Sequence, residues 1–191
     1  MMAIQSDTNL INQNKIAVDI GNSRIKLVIN EEFFSFNYED NWKSELVNLL
    51  ESTEGNKILA YSSVNSNYEE GFLEIIQNFS EIDLIRPKEL LHNQKFIKFG
   101  HIQGMGFDRM FGLIGAISYD EPALITVDCG TAITVNAVDD DGICRGGAIF
   151  AGLYTQIKAL SEHTDKLKNL SISEYEQSFN IGKNTNQALT I

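Results

Sequence analysis

The sequence predicts an α/β protein built as two related lobes. Three observations carry that reading. Short apolar strands are interleaved with segments whose apolar residues recur at helical spacing. A strand–turn–strand unit near the start returns past the middle of the chain. Both copies place Asp-x-Gly where the first strand meets its turn. The expected division is a frayed N-terminal segment at 1–14, a first lobe at 15–120 and a second lobe at 121–191.

Residues 1–14 read as a mostly polar, frayed segment. KIAVDI, the turn GNS and RIKLVIN then read as a hairpin, and FFSFNY has the aromatic content of a third strand. In NWKSELVNLLE, Trp42, Leu46, Leu49 and Leu50 fall on one helical face, with Asp40 or Asn41 as N-cap. KILAYSSV is a strand. YEEGFLEIIQNF is a helix that buries Tyr68, Phe72, Ile75, Ile76 and Phe79, started by a capping-box-like Asn67 and Glu70. IDLIR is a strand ended by Pro87, and a loop of about twenty residues follows. FDRMFGLIGAISY reads as a helix with Phe107, Met110, Phe111, Ile114 and Ile117 inward.

The pattern then restarts. ALITVD, the turn CGT and AITVNAV make a second hairpin, and the acidic turn DDDG, a solvated tip, leads to the strand ICRGGAIF. A shift of 109 positions lays Val18, Asp19 and Gly21 over Val127, Asp128 and Gly130. Matching apolar strands arise by chance; the shared Asp-x-Gly carries the case for an internal duplication.

Composition limits the functions. The 15 basic side chains against 26 acidic ones give a net charge of −11, a surface that repels phosphate backbones and anionic membranes. Neither nucleic acid nor a membrane is therefore expected as a partner. No apolar run approaches the roughly 20 residues of a bilayer span, and the opening residues lack a secretory pattern. Two cysteines are too few for a disulfide framework, so a reducing cytoplasm is the expected location, with Cys129 read as a small buried residue. The three histidines are scattered and suggest no metal cluster.

Two segments carry chemistry. A glycine at a hairpin turn lets backbone N–H groups approach a ligand closely, and a following Asn, Ser or Thr adds a short donor. An Asp at the strand end offers oxygen to a hydrated Mg2+. Either carboxylate alone is equally an ordinary turn residue; two at matched positions point to a triphosphate gripped between facing lobes. Lys26, on the second strand of the first hairpin, is either solvated or a phosphate contact. In GMGFDR, Arg109 can bind a carboxylate through two hydrogen bonds, and Asp108 can accept a proton from an attacking hydroxyl. The bland alternative is a helix-start carboxylate favoured by the dipole, beside a surface arginine.

DIGNSRIK (19–26), GFDR (106–109), VDCGTAIT (127–134) and GGAIFAGL (146–153) resemble the four signature segments of type III pantothenate kinases, in order and in spacing. The resemblance runs from about residue 16 to the end. It implies the acetate-and-sugar-kinase/actin-like fold with two ribonuclease-H-like lobes. It also implies ATP-dependent phosphorylation of pantothenate, the first step toward coenzyme A. The cofactors implied are Mg2+ with ATP and a monovalent cation, potassium (K+) or ammonium (NH4+), and the implied assembly is a homodimer.

Residue by residue, the resemblance makes Asp19, Ile20, Gly21, Asn22, Ser23, Arg24, Ile25 and Lys26 the ATP phosphate-binding hairpin, with Thr131 a further ATP contact. It makes Asp19 a ligand of Mg2+ through water and Asp128 a ligand of the monovalent cation. It implies that Gly106, Phe107, Asp108 and Arg109 hold pantothenate, with Arg109 near its carboxylate and Asp108 as proton acceptor. Thr185 corresponds to a late substrate-contacting threonine. Phe99 stands where the family often has a tyrosine, and the usual proline of that loop is absent. Family members usually continue for several tens of residues past NTNQAL, so the second lobe is expected to be incomplete. The alternative is a non-catalytic or regulatory nucleotide-binding relative.

Overall fold

In the computed structural model, which describes residues 13–117 and 123–167, the chain begins with the expected hairpin: β1 (Asn14–Ile20) and β2 (Arg24–Ile29). Asn30 and Glu31 turn it into β3 (Glu32–Asn37) with both φ angles positive, as a two-residue hairpin loop requires. Next come α1 (Trp42–Ser52), β4 (Lys57–Ser63), α2 (Ser66–Ile76), β5 (Ile82–Ile85), α3 (Pro87–Asn93) and α4 (Phe107–Ala116). The second unit is β6 (Leu124–Cys129), β7 (Ala132–Val138), β8 (Cys144–Ala151) and α5 (Leu153–His163).

The first sheet has the order β3-β2-β1-β4-β5. β1, β2 and β3 form an antiparallel meander, while β4 and β5 add in parallel through helical crossovers. This is the strand order expected of a ribonuclease-H-like lobe. The topology places the β1–β2 turn, the C-terminal end of β4 and the start of α2 along one edge. Alternation explains the core: Ile16, Val18 and Ile20 point inward with Ile25, Leu27 and Ile29, against Leu46, Leu50 and Phe72 from α1 and α2. Each such side chain contributes about 1.5–3 kcal/mol by burial.

Among the described residues the second sheet has three strands, β6-β7-β8, all antiparallel, with α5 following as α1 follows β3. A smaller cluster of Ile97, Leu113, Val138 and Cys144 ties α4 and the segment before it to this sheet. Lys98 bridges to Ile143. The lobes are not equally covered: Val18 is 4% exposed, but its counterpart Val127 is 59% exposed.

Several expectations are corrected. α2 starts before Tyr68, because Asn65, not Asn67, accepts the capping bond from the Tyr68 N–H at 3.4 Å. The long loop after β5 contains α3, with Pro87 as its first residue; proline has no N–H to lose there and its φ suits a helix start. α4 buries Met110 and Leu113 most deeply, while Phe107 and Phe111 stack partly exposed at 5.9 Å. Cys129 is exposed at the end of β6. In the acidic turn, Asp140 and Asp141 are solvated but Asp139 is not a free tip. Its Oδ1 accepts the N–H groups of Asp141 and Ile143, and its Oδ2 pairs with Arg145. The Ile143 N–H bond foremost, with Arg145 and Asp141 adding, holds its carboxyl below the usual range. The boundary near residue 120 falls in 118–122, outside the described residues, as do residues 1–12 and Thr185.

Candidate active site

The tip of the first hairpin is built by three strands. Asp19 ends β1 opposite Lys26 of β2 and beside Ser62 of β4. Its Oδ1 accepts the Ser62 hydroxyl at 3.1 Å, and its Oδ2 pairs with Lys26 Nζ at 3.4 Å. Lys26 is thus neither freely solvated nor idle: it balances Asp19. The turn closes by the Gly21 N–H donating to Arg24 O at 3.1 Å. Tyr38 donates its hydroxyl to Gly21 O at 3.1 Å and stacks on Tyr68 with ring centroids 3.4 Å apart. Burial, then the Asp19 charge, then Tyr68 push the Tyr38 phenol well above its ordinary value. Ile20 and Ile25 are fully buried, so only their backbone can serve a ligand, whereas Asn22, Ser23 and Arg24 are exposed.

The second tip repeats the plan with one residue fewer. Gly130 N–H donates to Ala132 O at 2.9 Å, where the first turn needs Arg24. The offset of 109 therefore holds up to the turns and becomes 108 beyond them. Asp128 faces Thr134 as Asp19 faces Lys26, and Ser23 matches Thr131. Those last two side chains meet, Ser23 Oγ and Thr131 Oγ1 lying 3.0 Å apart. The Thr131 carbonyl accepts the Gly152 N–H at 2.9 Å and the Thr155 hydroxyl at 2.8 Å. The start of α5 is thereby held against the turn. Gly152 is obligatory there, since an added Cβ would stand 2.0 Å from Gly130 O. Asp128 is exposed.

The start of α4 supplies the third part. Gly106 is its N-cap, and the Met110 N–H closes the first turn on Gly106 O at 3.2 Å. Asp108 lies in that first turn with its Oδ1 buried and lacking a hydrogen-bond partner. A Cβ on Gly106 would fall 2.4 Å from this oxygen and 3.7 Å from Val64 Cγ1. The Val64 N–H in turn donates to Ile20 O at 3.1 Å, so Asp108 borders the sheet edge that carries Asp19. Arg109 reaches β7, its Nε donating to Asn136 Oδ1 at 2.7 Å. Phe99 is half-buried against the Ile97–Leu113–Val138–Cys144 cluster.

The geometry therefore gathers the two turns and the Gly106–Arg109 segment. Among the described residues no group of three or more His, Cys, Asp or Glu forms a metal cage. Nothing local in the sequence singles out Ser62, Tyr38, Asn136 or Thr155. Ser62 and Asn136 are visible only once strand neighbours are known. The glycines of GGAIFAGL, by contrast, are a legible sign of close backbone approach.

Among the described residues no helix is long and apolar enough to cross a membrane. A family model described as type III pantothenate kinase matches residues 15–191. The type III pantothenate kinase of Flavobacterium psychrophilum is 30% identical over 182 residues, covering 91% of this chain and 72% of that protein. That of Dichelobacter nodosus is 29% identical over 159 residues, covering 80% of this chain and 65% of the relative. The chain thus spans about two thirds to three quarters of these relatives' length. A solved Aquifex aeolicus PPX-GPPA enzyme has a TM-score of 0.39 at 12% identity, over 80% of this chain and 57% of that one.

Proposed function

The chain belongs to the type III pantothenate kinase family, and we propose that its two hairpin turns and the start of α4 carry out the ATP-dependent phosphorylation of pantothenate, in coenzyme A biosynthesis. The observation that carries this reading is Asp108 Oδ1, a buried acceptor with no donor of its own. An orphaned buried carboxylate oxygen costs about 1–3 kcal/mol, more when charged, and a substrate hydroxyl would satisfy it.

ATP lies with its phosphates along the 19–24 turn and the Gly130–Thr131 turn, where glycines let the backbone come close and Asn22, Ser23 and Thr131 offer donors. Asp19 fits an outer-sphere role toward Mg2+, because both its oxygens already take bonds from Ser62 and Lys26 and water must bridge the rest. When bound, Mg2+ neutralises charge on the bridging phosphate oxygens. Asp128, exposed beside the second turn, suits a loosely held monovalent cation, K+ or NH4+.

Arg109 binds the pantothenate carboxylate. Asp108 Oδ1 accepts the hydrogen bond of the primary hydroxyl and takes its proton as that oxygen attacks the γ-phosphorus. The bond from phosphorus to the β-bridging oxygen breaks, and ADP leaves. Phe99, Phe107 and Thr185 complete the substrate side. The working form is a cytoplasmic homodimer.

A coupled assay of ADP release tests the reading, run with and without pantothenate in potassium and then sodium buffer. Release that requires pantothenate and is faster in potassium is expected. Nucleotide binding without pantothenate-dependent turnover would instead indicate a non-catalytic relative.

A further inference from the structure

Arg109 occupies an odd position for a cation. It lies in the first turn of α4, where the helix dipole disfavours positive charge, so helix stability does not explain it. Its side chain crosses to β7, where Nε donates to Asn136 Oδ1 at 2.7 Å. Asn136 is 2% exposed in the middle of β7. The other end of its carboxamide donates to Thr126 Oγ1 at a long 3.4 Å, so Arg109 is its closer partner. Across the strand pair from Asn136 stands Gly147. A Cβ there would collide with Val135 O at 1.9 Å and lie 3.0 Å from Arg109 Nη2. Backbone crowding dictates the glycine, and the same bare surface lets the guanidinium lie against β8.

We propose that Asn136, with Gly147 opposite it, is the positioning residue for Arg109, fixing the guanidinium so that its Nη edge, and not its Nε side, receives the substrate carboxylate. This rests on the assignment of Arg109 to the pantothenate carboxylate. A carboxamide suits that role because it fixes the plane of the guanidinium without neutralising its charge, as a carboxylate would.

The test is steady-state kinetics of Asn136→Ala in the full chain, with thermal melting to establish folding. The pantothenate KM is expected to rise about tenfold or more, with kcat and the ATP KM within about threefold. Adding Asn136→Ala to Arg109→Ala should bring no further increase. A folded Asn136→Ala whose pantothenate KM stays within twofold of the parent overturns the proposal, as does an equal rise in both KM values. Should Asn136→Ala not fold, the isosteric Asn136→Asp decides. It keeps the acceptor but neutralises the guanidinium, so the pantothenate KM should rise severalfold, and an unchanged value overturns the proposal. Arg109→Ala alone separates the two levels. If it leaves the pantothenate KM unmoved, the carboxylate assignment itself has failed; if it raises KM while Asn136→Ala does not, only the positioning role has.

Discussion

The hydroxyls of Ser23 and Thr131 meet at 3.0 Å, joining the tips of two hairpins that lie 108 residues apart in the chain. Each tip is braced from behind. Tyr38 holds the Gly21 carbonyl, while Gly152 and Thr155 hold the Thr131 carbonyl. On the proposed reading, two turns so supported meet one ligand with little reorganisation left for the moment of binding.

Thr131→Val, which keeps the volume and removes the hydroxyl, should therefore weaken MgATP binding about tenfold, while Ser23→Ala weakens it less. Calorimetric titration reads both. Equal affinity for the parent and Thr131→Val would detach this hydroxyl from the phosphate site.

Gly106→Ala separates stability from chemistry. Gly106 has φ −65°, an ordinary value for alanine, and the atom a Cβ would strike is the rotatable Asp108 Oδ1. The carboxylate swings aside at small cost to folding but leaves its aligned position, and such displacements cost on the order of 10²-fold in rate. The expected result is a melting temperature within a few degrees of the parent and kcat down by about that factor. Parent-like kcat would show that the placement of Asp108 does not matter.

Tyr38 gives a pH signature. Its phenol is raised in the folded protein by burial first, then by Asp19 and Tyr68, above the value near 10 of the unfolded chain. The folded state thus holds a proton that the unfolded state releases. The stabilisation is complete below about pH 10 and is lost as pH climbs toward the folded value. Urea unfolding at pH 8 and pH 11 should show the parent losing more stability than Tyr38→Phe, which also forfeits about 1 kcal/mol from the bond to Gly21 O at neutral pH. Parallel pH dependence in the two proteins would contradict the assignment.

Most elements could be read locally, because period and turn chemistry are local: the GNS turn, the helical face of Leu46 and Leu50, and the repeat of Asp-x-Gly all lie within short windows. The errors are equally physical. Pro87 reads as a stop but is also a good first residue of a helix, which is how α3 escaped. Asn67 reads as the cap of α2, but the helix starts two residues earlier than that and Asn65 takes the place. Cys129 looks like a core residue, yet it is exposed at the end of β6. Site residues contributed by neighbouring strands are the least legible. Ser62 reaches Asp19 because β4 pairs with β1, and Asn136 reaches Arg109 because β7 passes beneath α4; neither pairing is written in any local pattern.

In the proposed reaction the unpartnered buried oxygen of Asp108 receives the proton of the attacking hydroxyl. Turnover of Asp108→Asn, measured as pantothenate-dependent ADP release at saturating MgATP, addresses it directly. The account predicts a fall in kcat of about 10²–10⁴-fold with MgATP affinity preserved. Near-parental turnover in a correctly folded Asp108→Asn would contradict it.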